Sequence, residues 1–176
     1  AAKSPVGSNG LLFLPYLLGE RAPHWDPNAR GTFIGLTMKH TMADMQHAVL
    51  EGVALNLGLI YHLEEENGVS RQGLHKAIGV CVNSPIVAQA LADIYGQPIA
   101  LTDMSDEATS LGAAILAGAG VGLFPDHNVS ERFNHVTKII EPIPANVEKY
   151  KEILPVFQQA YDSLKETYRH LRKLQS

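Results

Sequence analysis

The middle of the chain alternates between short apolar runs and segments with helical spacing, and this alternation limits the fold more than any other feature. Ser84 and Pro85 stand where a helix would begin, and Gly96 stands where it would end. The predicted elements are, in order, a buried strand over residues 76–82, a helix from Pro85 to Tyr95, a strand over residues 98–101, and a helix that Ser105 or Asp106 caps and that ends near Gly118. Strands that alternate with helices predict an α/β layered domain.

Two more strands are predicted near the N-terminus, on either side of a long loop. Residues 11–18 and 31–36 are apolar runs of strand length, and residues 19–30 between them read GERAPHWDPNAR. We expect this loop to be ordered and structural, because its two prolines and Trp25 would stiffen and anchor it. Three charged side chains could also pair across it, namely Glu20, Arg21 and Arg30.

The longest predicted helix of the first half begins at Thr41. Thr41 and Asp44 resemble a capping box, and Gly68 would end the helix in a left-handed conformation. Gly52 and Gly58 lie inside it, where each costs about 1 kcal/mol relative to alanine. Their presence predicts close packing of the helix against a neighbouring element.

The C-terminal segment, residues 144–174, predicts another helix, in which Pro155 should cause a kink or start a new helix. An apolar stripe runs along it with alternating spacings of four and three: Tyr150, Leu154, Phe157, Tyr161, Leu164, Tyr168 and Leu171. The stripe is short and aromatic, so we expect it to dock on the chain's own domain. A coiled-coil partner is the alternative.

Composition excludes several classes of function. The chain has 176 residues, 45% of them apolar, and a formal net charge of −4 without a basic block, so neither nucleic acid nor a membrane surface is an expected partner. The apolar run at residues 11–18 is too short to span a bilayer. Cys81 is the only cysteine, which excludes an internal disulfide and fits a cytoplasmic protein. We expect Cys81 to be a small core residue in its strand.

One segment suggests ligand chemistry, and the histidines do not. The eight histidines form neither an HExxH motif nor a Cys/His cluster, so no metal site is predicted. The segment AIGVCVNSP, in contrast, joins a strand to a helix through a tight turn. Such a junction offers free backbone N–H groups that suit a nucleotide.

Several ordered motifs together resemble the C-terminal half of the FGGY carbohydrate kinases. GERAPHWDPNARGTFIGL and TMKHTMADMQHAVLEGV are followed by SPIVAQALADIYGQPI and EATSLGAAILAGAGVGLF, each similar to a block of that family. The family's second signature is met by Gly31, Phe33, Gly35, Leu36, Asp44, Met45, Ala48, Val49, Leu50 and Glu51. The sequences of these motifs are more similar to those of xylulose and gluconate kinases than to those of glycerol kinases.

The resemblance implies an actin-like, ribonuclease H-like fold, in which two α/β domains flank a cleft. It implies that residues 1–10 are a linker or a remnant of a preceding domain and that residues 11–143 form the ATP-binding domain. Residues 144–176 would then be a C-terminal helical segment packed on the same domain. The sugar substrate would bind mainly to a missing N-terminal domain.

The implied activity is transfer of the ATP γ-phosphoryl group to a sugar hydroxyl with Mg²⁺. A pentulose such as xylulose is the expected substrate, and gluconate is the alternative. The family's catalytic aspartate lies upstream of everything present here, so no catalytic residue is expected in this chain, which alone should be inactive.

By the same resemblance, the adenosine turn contains Gly79, Val80, Asn83 and Ser84. The family usually has further glycines where this chain has Val80 and Cys81. Val80 is β-branched and would resist a positive φ. Two other hypotheses therefore stay open: a catalytically silent binding or assembly domain of the actin-like superfamily, and a scaffold that forms a homodimer through its C-terminal helix.

Overall fold

Strands and helices alternate along the chain in a computed structural model that describes residues 1–69 and 73–174. The strands are β1 (Leu12–Leu14), β2 (Thr32–Ile34), β3 (His75–Ala77), β4 (Ile99–Thr102) and β5 (Val136–Ile140). The helices are α1 (Met42–Glu66), α2 (Pro85–Tyr95), α3 (Ala108–Gly120) and α4 (Pro144–Leu174). The sequence predicted all four helices, and it predicted longer versions of β1, β2 and β3.

The described strands form two sheets. β1 and β2 are antiparallel, with Phe13 opposite Phe33. In the other sheet β4 lies between β3 and β5, parallel to β3 and antiparallel to β5. α2 connects the two parallel strands and packs against α1. The carboxyl ends of β3 and β4 therefore lie at one edge of the sheet, where open α/β sheets usually bind their ligands.

The predicted capping box at the start of α1 is confirmed. The Thr41 hydroxyl accepts a hydrogen bond from the Asp44 N–H, and the Asp44 carboxylate accepts one from the Thr41 N–H at 2.7 Å. The same carboxylate accepts hydrogen bonds from Ser4 Oγ at 2.6 Å and from Asn9 Nδ2 at 2.9 Å. Asp44 thus joins the N-terminal segment to the first turn of α1.

These hydrogen bonds make the stability contributed by Asp44 dependent on pH. The hydrogen bond from Ser4, followed by those from Thr41, holds the pKa of Asp44 well below its ordinary value of 3.8. A depressed pKa stabilises the fold at neutral pH, and the stabilisation is lost as the pH falls below that ordinary value. We expect the difference in unfolding free energy between the wild type and Asp44→Asn to shrink below about pH 4. Urea titrations across this range would measure it, and a difference that stays constant with pH would contradict the prediction.

The two glycines inside α1 lie where the helix approaches its neighbours most closely, as predicted. A Cβ atom on Gly52 would lie 2.1 Å from the carbonyl oxygen of Phe13 in β1. A Cβ atom on Gly58 would lie 2.4 Å from Cγ2 of Ile94 in α2. The glycines therefore set the distance from α1 to β1 and from α1 to α2.

A buried carboxylate joins three parts of the fold. Glu51 of α1 is only 3% exposed. Its carboxylate accepts hydrogen bonds from the Gly7 N–H at 2.6 Å, from Ser8 Oγ at 2.6 Å and from the Tyr150 hydroxyl at 2.7 Å. The N-terminal segment, α1 and α4 therefore meet at one acidic side chain.

The aromatic stripe of α4 packs against the rest of the described chain. Four of its side chains are at most 3% exposed: Tyr150, Phe157, Tyr161 and Tyr168. They belong to the same core cluster as residues of α1, α2 and β1, whereas Leu171 at the end of the stripe is 41% exposed. Pro155 lies inside α4 and does not start a new helix.

The loop over residues 19–30 is ordered, but the predicted anchoring by Trp25 is wrong for the described chain. Two backbone hydrogen bonds between Glu20 and Asp26, of 2.9 and 2.8 Å, close the loop on itself. The side chain of Trp25 is 78% exposed, so it does not anchor the loop to the core. The Arg30 guanidinium fixes the end of the loop by donating to backbone carbonyls, those of Pro27, Asn28 and Ala29.

Candidate functional site

The turn between β3 and α2 differs from the sequence prediction. β3 ends at Ala77, and a short 3-10 helix, Val80–Asn83, replaces the predicted continuation of the strand. The backbone of Gly79 has φ +99°, which ends the extended conformation. The side chain of Cys81 is exposed, so the prediction of a core cysteine is wrong.

The turn requires a glycine at one position only. Gly79 takes the positive φ, whereas Val80, Cys81 and Val82 do not. Val80 therefore adopts the turn without the strain that its branched side chain would suffer at positive φ. Its side chain is 72% exposed and lies on the surface of the turn.

The loop after β4 holds this turn in place. The Gly79 N–H donates to the carbonyl oxygen of Ser105 at 3.1 Å, and Ser105 Oγ donates to the Gly79 carbonyl oxygen at 3.3 Å. Asn83 Nδ2 donates to the Asp106 carboxylate at 3.0 Å. Ser105 and Asp106 thus support the turn and do not cap α3, since the residue before α3 is Glu107. The predicted cap is wrong because these side chains bond across the sheet edge.

The N-terminus of α2 comes directly after this turn in the chain. Ser84 is the N-cap residue and Pro85 the first helical residue, as predicted, but the Ser84 side chain makes no capping hydrogen bond. The N–H groups of Ile86 and Val87 in the first turn have no partner within the helix. The junction therefore offers a hydroxyl group and backbone donors beside the turn.

A histidine–aspartate pair lies at the same edge. Asp103 follows β4, and His135 precedes β5. The Asp103 carboxylate accepts hydrogen bonds from the His135 N–H at 2.8 Å and from the His135 ring Nδ1 at 3.0 Å. The bond from the His135 side chain, followed by that from its backbone, lowers the pKa of Asp103. No local sequence pattern selects this pair, because 32 residues separate its members and the pairing of β4 with β5 brings them together.

The electrostatics of this edge disfavour phosphate groups. Three exposed acidic residues follow β4 within five positions: Asp103, Asp106 and Glu107. Like charges at close range repel, whereas carboxylates accept hydrogen bonds from hydroxyl and amine groups. The edge therefore suits the uncharged part of a nucleotide better than its phosphates.

A cavity of about 700 Å³ lies elsewhere in the described chain. It is an open cavity between α1, α4, the C-terminal end of α2 and the loop over residues 19–30, and its apolar lining includes Leu59, Ile94 and Leu154. Tyr95 and Gly96 at that end of α2 also line it. The cavity is therefore at the opposite end of α2 from the turn.

Among the described residues, no group of three or more histidine, cysteine, aspartate or glutamate side chains is arranged to hold a metal ion. Across residues 1–69 and 73–174, no helix combines the length and the apolar character that crossing a bilayer would need.

Residues 1–121 match the C-terminal domain of the FGGY family of carbohydrate kinases. The match contains β1 to β4, α1 to α3 and the turn at residues 79–84.

Two curated relatives are a xylulose kinase and a gluconokinase. A xylulose kinase from Staphylococcus epidermidis is 37% identical over 172 residues, which cover 94% of this chain and 33% of that protein. A gluconokinase from Bacillus subtilis is 35% identical over 151 residues, covering 86% of this chain and 29% of the relative.

Among solved structures, a ligand-bound xylulose kinase from Lactobacillus acidophilus superposes with a TM-score of 0.82 at 33% identity. It covers 97% of this chain, which in turn covers 34% of that structure. A gluconate kinase from the same organism gives a TM-score of 0.81, also at 33% identity. The chain thus spans about a third of the length of the proteins that it matches.

Proposed function

The chain belongs to the FGGY family of carbohydrate kinases, and from this premise we propose that it is the C-terminal portion of an ATP-dependent sugar kinase. Its fold is the actin-like ATPase fold of those kinases, with a C-terminal helix. The proposed reaction transfers the γ-phosphoryl group of ATP to a hydroxyl group of a sugar. A pentulose such as xylulose is the proposed substrate, and gluconate is the alternative, since relatives of both names have similar identities.

The proposed division of the chain follows the same reasoning. Residues 11–143 would form the ATP-binding domain, and residues 144–176 a helical segment packed on it. Residues 1–10 would be a linker or a remnant of a preceding domain. The hydrogen bonds from Ser4, Gly7 and Ser8 to α1 favour treating this first segment as part of the same folded unit.

The observation that carries the proposal is the turn at the carboxyl ends of β3 and β4. Gly79, Val80, Asn83 and Ser84 would line one side of the adenosine moiety, with Gly79 supplying the conformation that exposes the turn. The Ser84 hydroxyl, which makes no capping bond, would be available to the ligand. The turn is an open surface, so a second part of the protein would have to cover the other side of the nucleotide.

The remaining chemistry is proposed to come from outside this chain. Phosphoryl transfer needs a base near the sugar hydroxyl and Mg²⁺ on the phosphates. By the resemblance given above, the family's catalytic aspartate lies upstream of the residues present here. We therefore expect the chain alone to be inactive and the complete gene product to be active.

The direct test is sugar-dependent ADP release from the complete gene product with Mg·ATP. The panel would contain pentuloses, polyols and gluconate. We expect turnover with one sugar, which would also decide between xylulose and gluconate. A folded protein without turnover on any sugar would contradict the kinase proposal and favour the silent binding or assembly domain.

Cys81 provides the control for this experiment. It is exposed, it lies inside the turn, and it is the only cysteine of the chain. Mg·ATP should slow its alkylation by a maleimide, measured by mass spectrometry of the peptide that contains it. Protection without turnover would indicate that the turn binds nucleotide although the protein is silent. Turnover without protection would place the nucleotide elsewhere.

A further inference from the structure

We propose that His135, oriented by Asp103, is an additional nucleotide-contacting residue that accepts a hydrogen bond from the nucleoside part of ATP. This inference rests on the proposed function. It extends the site from the turn after β3 across the sheet edge to the start of β5. The family motifs in the sequence include neither residue.

The strand register places the pair next to the turn. Ala77 of β3 is opposite Leu101 of β4, and Thr102 is opposite Val136 of β5. Asp103 and His135 continue the pairing of β4 with β5 by one residue, since the Asp103 N–H donates to the His135 carbonyl oxygen at 3.1 Å. The Gly79 N–H donates to the carbonyl oxygen of Ser105, which lies two residues after Asp103 in the same loop. A nucleoside that lies on the turn would therefore be close to the side chain of His135.

The hydrogen bonds of the pair determine what His135 can offer. A carboxylate only accepts hydrogen bonds, so the ring nitrogen facing Asp103, Nδ1, carries a proton. In the neutral ring Nε2 is then an acceptor. The side chain of His135 is 64% exposed, and Nε2 makes no hydrogen bond to the described residues. In that neutral form Nε2 is an oriented acceptor on an open surface.

A ligand group that binds Nε2 as an acceptor must be a hydrogen-bond donor. In a nucleoside, the donors are the ribose hydroxyl groups and the exocyclic amine of adenine. The negative charges of Asp103, Asp106 and Glu107 disfavour a phosphate group at this position. The same carboxylates are compatible with a hydroxyl or amine donor.

The test uses the complete gene product and His135→Asn. Asparagine retains a donor near the position of Nδ1 and can keep the bond to Asp103, but it has no group at the position of Nε2. We expect the Kd for Mg·ATP to rise about 3- to 10-fold, the effect of one lost hydrogen bond. His170→Ala, which removes an exposed histidine from α4, is the matched control and should leave the Kd unchanged.

Two nucleotide analogues identify the donor. The wild type should bind 2′-deoxy-ATP or inosine triphosphate more weakly than ATP, and His135→Asn should lose that discrimination for one of them. If His135→Asn no longer discriminates between ATP and 2′-deoxy-ATP, the donor is the ribose 2′-hydroxyl group. If it no longer discriminates between ATP and inosine triphosphate, the donor is the exocyclic amine of adenine. His135→Gln, whose amide lies nearer the position of Nε2, should restore part of the affinity, which a purely structural role would not predict.

Equal affinity and equal discrimination in the wild type and His135→Asn would overturn the inference and leave the kinase proposal intact. An unchanged Kd for all three nucleotides in His135→Gln would agree with that result. Absence of any Mg·ATP binding by the wild type would overturn the proposed function and the inference with it. The outcomes are therefore distinguishable in one set of titrations.

Discussion

Gly52→Ala is expected to lower the free energy of unfolding by about 3 kcal/mol, or to prevent folding altogether. The added Cβ would lie 2.1 Å from the carbonyl oxygen of Phe13, a distance at which one backbone has to move. Phe13 cannot yield easily, because β1 is paired with β2 and α1 is fixed at its start by the capping box. Because the clash is with a backbone atom, no change of side-chain rotamer can relieve it.

Two other glycines are matched controls. Nothing lies within 4 Å of a Cβ on Gly112 in α3, so Gly112→Ala should gain helix propensity and stabilise the protein by up to about 1 kcal/mol. The effect of Gly58→Ala should fall between the other two, since its nearest neighbour is a side-chain methyl group, Cγ2 of Ile94, and not backbone. Urea unfolding followed by circular dichroism would measure all three. A Gly52→Ala protein as stable as the wild type would contradict the close approach.

The same glycines show how far the sequence predicts the fold. An internal glycine in a helical pattern predicts close packing, and capping residues predict where helices begin, because both depend on neighbours along the chain. The partner of Gly52 lies 39 residues upstream in β1, and no local pattern identifies it. Helix positions were therefore predictable, whereas the contacts that hold the helices together were not.

The candidate site was predicted in part for a similar reason. Gly79 and Ser84 are local signals of a turn and a helix start. Val80 and Cys81 have the composition of a strand, and the sequence predicted them as buried. They are exposed because a glycine at positive φ ends the strand before them. Apolar character predicts burial only where another part of the molecule covers the segment.

Asp103 and His135 are functional candidates that the sequence did not predict at all. Neither stands in a motif, and each is unremarkable alone. Their pairing follows from the antiparallel register of β4 and β5, which in turn depends on the long connection through α3. Residues that a sheet brings together from distant segments are visible only in the structure.

Glu51→Ala is the second substitution with a large expected effect, a loss of about 3 kcal/mol or more in the free energy of unfolding. It removes the acceptor of three donors: the Gly7 N–H, Ser8 Oγ and the Tyr150 hydroxyl. Each buried donor left without a partner costs about 1–3 kcal/mol. Burial, together with the nearby Glu51 carboxylate, raises the pKa of Tyr150 far above its ordinary value, so its hydroxyl remains a donor.

A double-mutant cycle separates the contribution of Tyr150 from the rest. Tyr150→Phe removes one donor and keeps the ring, so the loss in Glu51→Ala/Tyr150→Phe should be smaller than the sum of the single losses. Glu65→Ala, on the exposed face of the same helix, should change stability by less than about 0.5 kcal/mol. Additive losses would mean that Glu51 and Tyr150 act independently. Coupling would show that one buried carboxylate, a residue of the family signature, holds α4 and the N-terminal segment against α1.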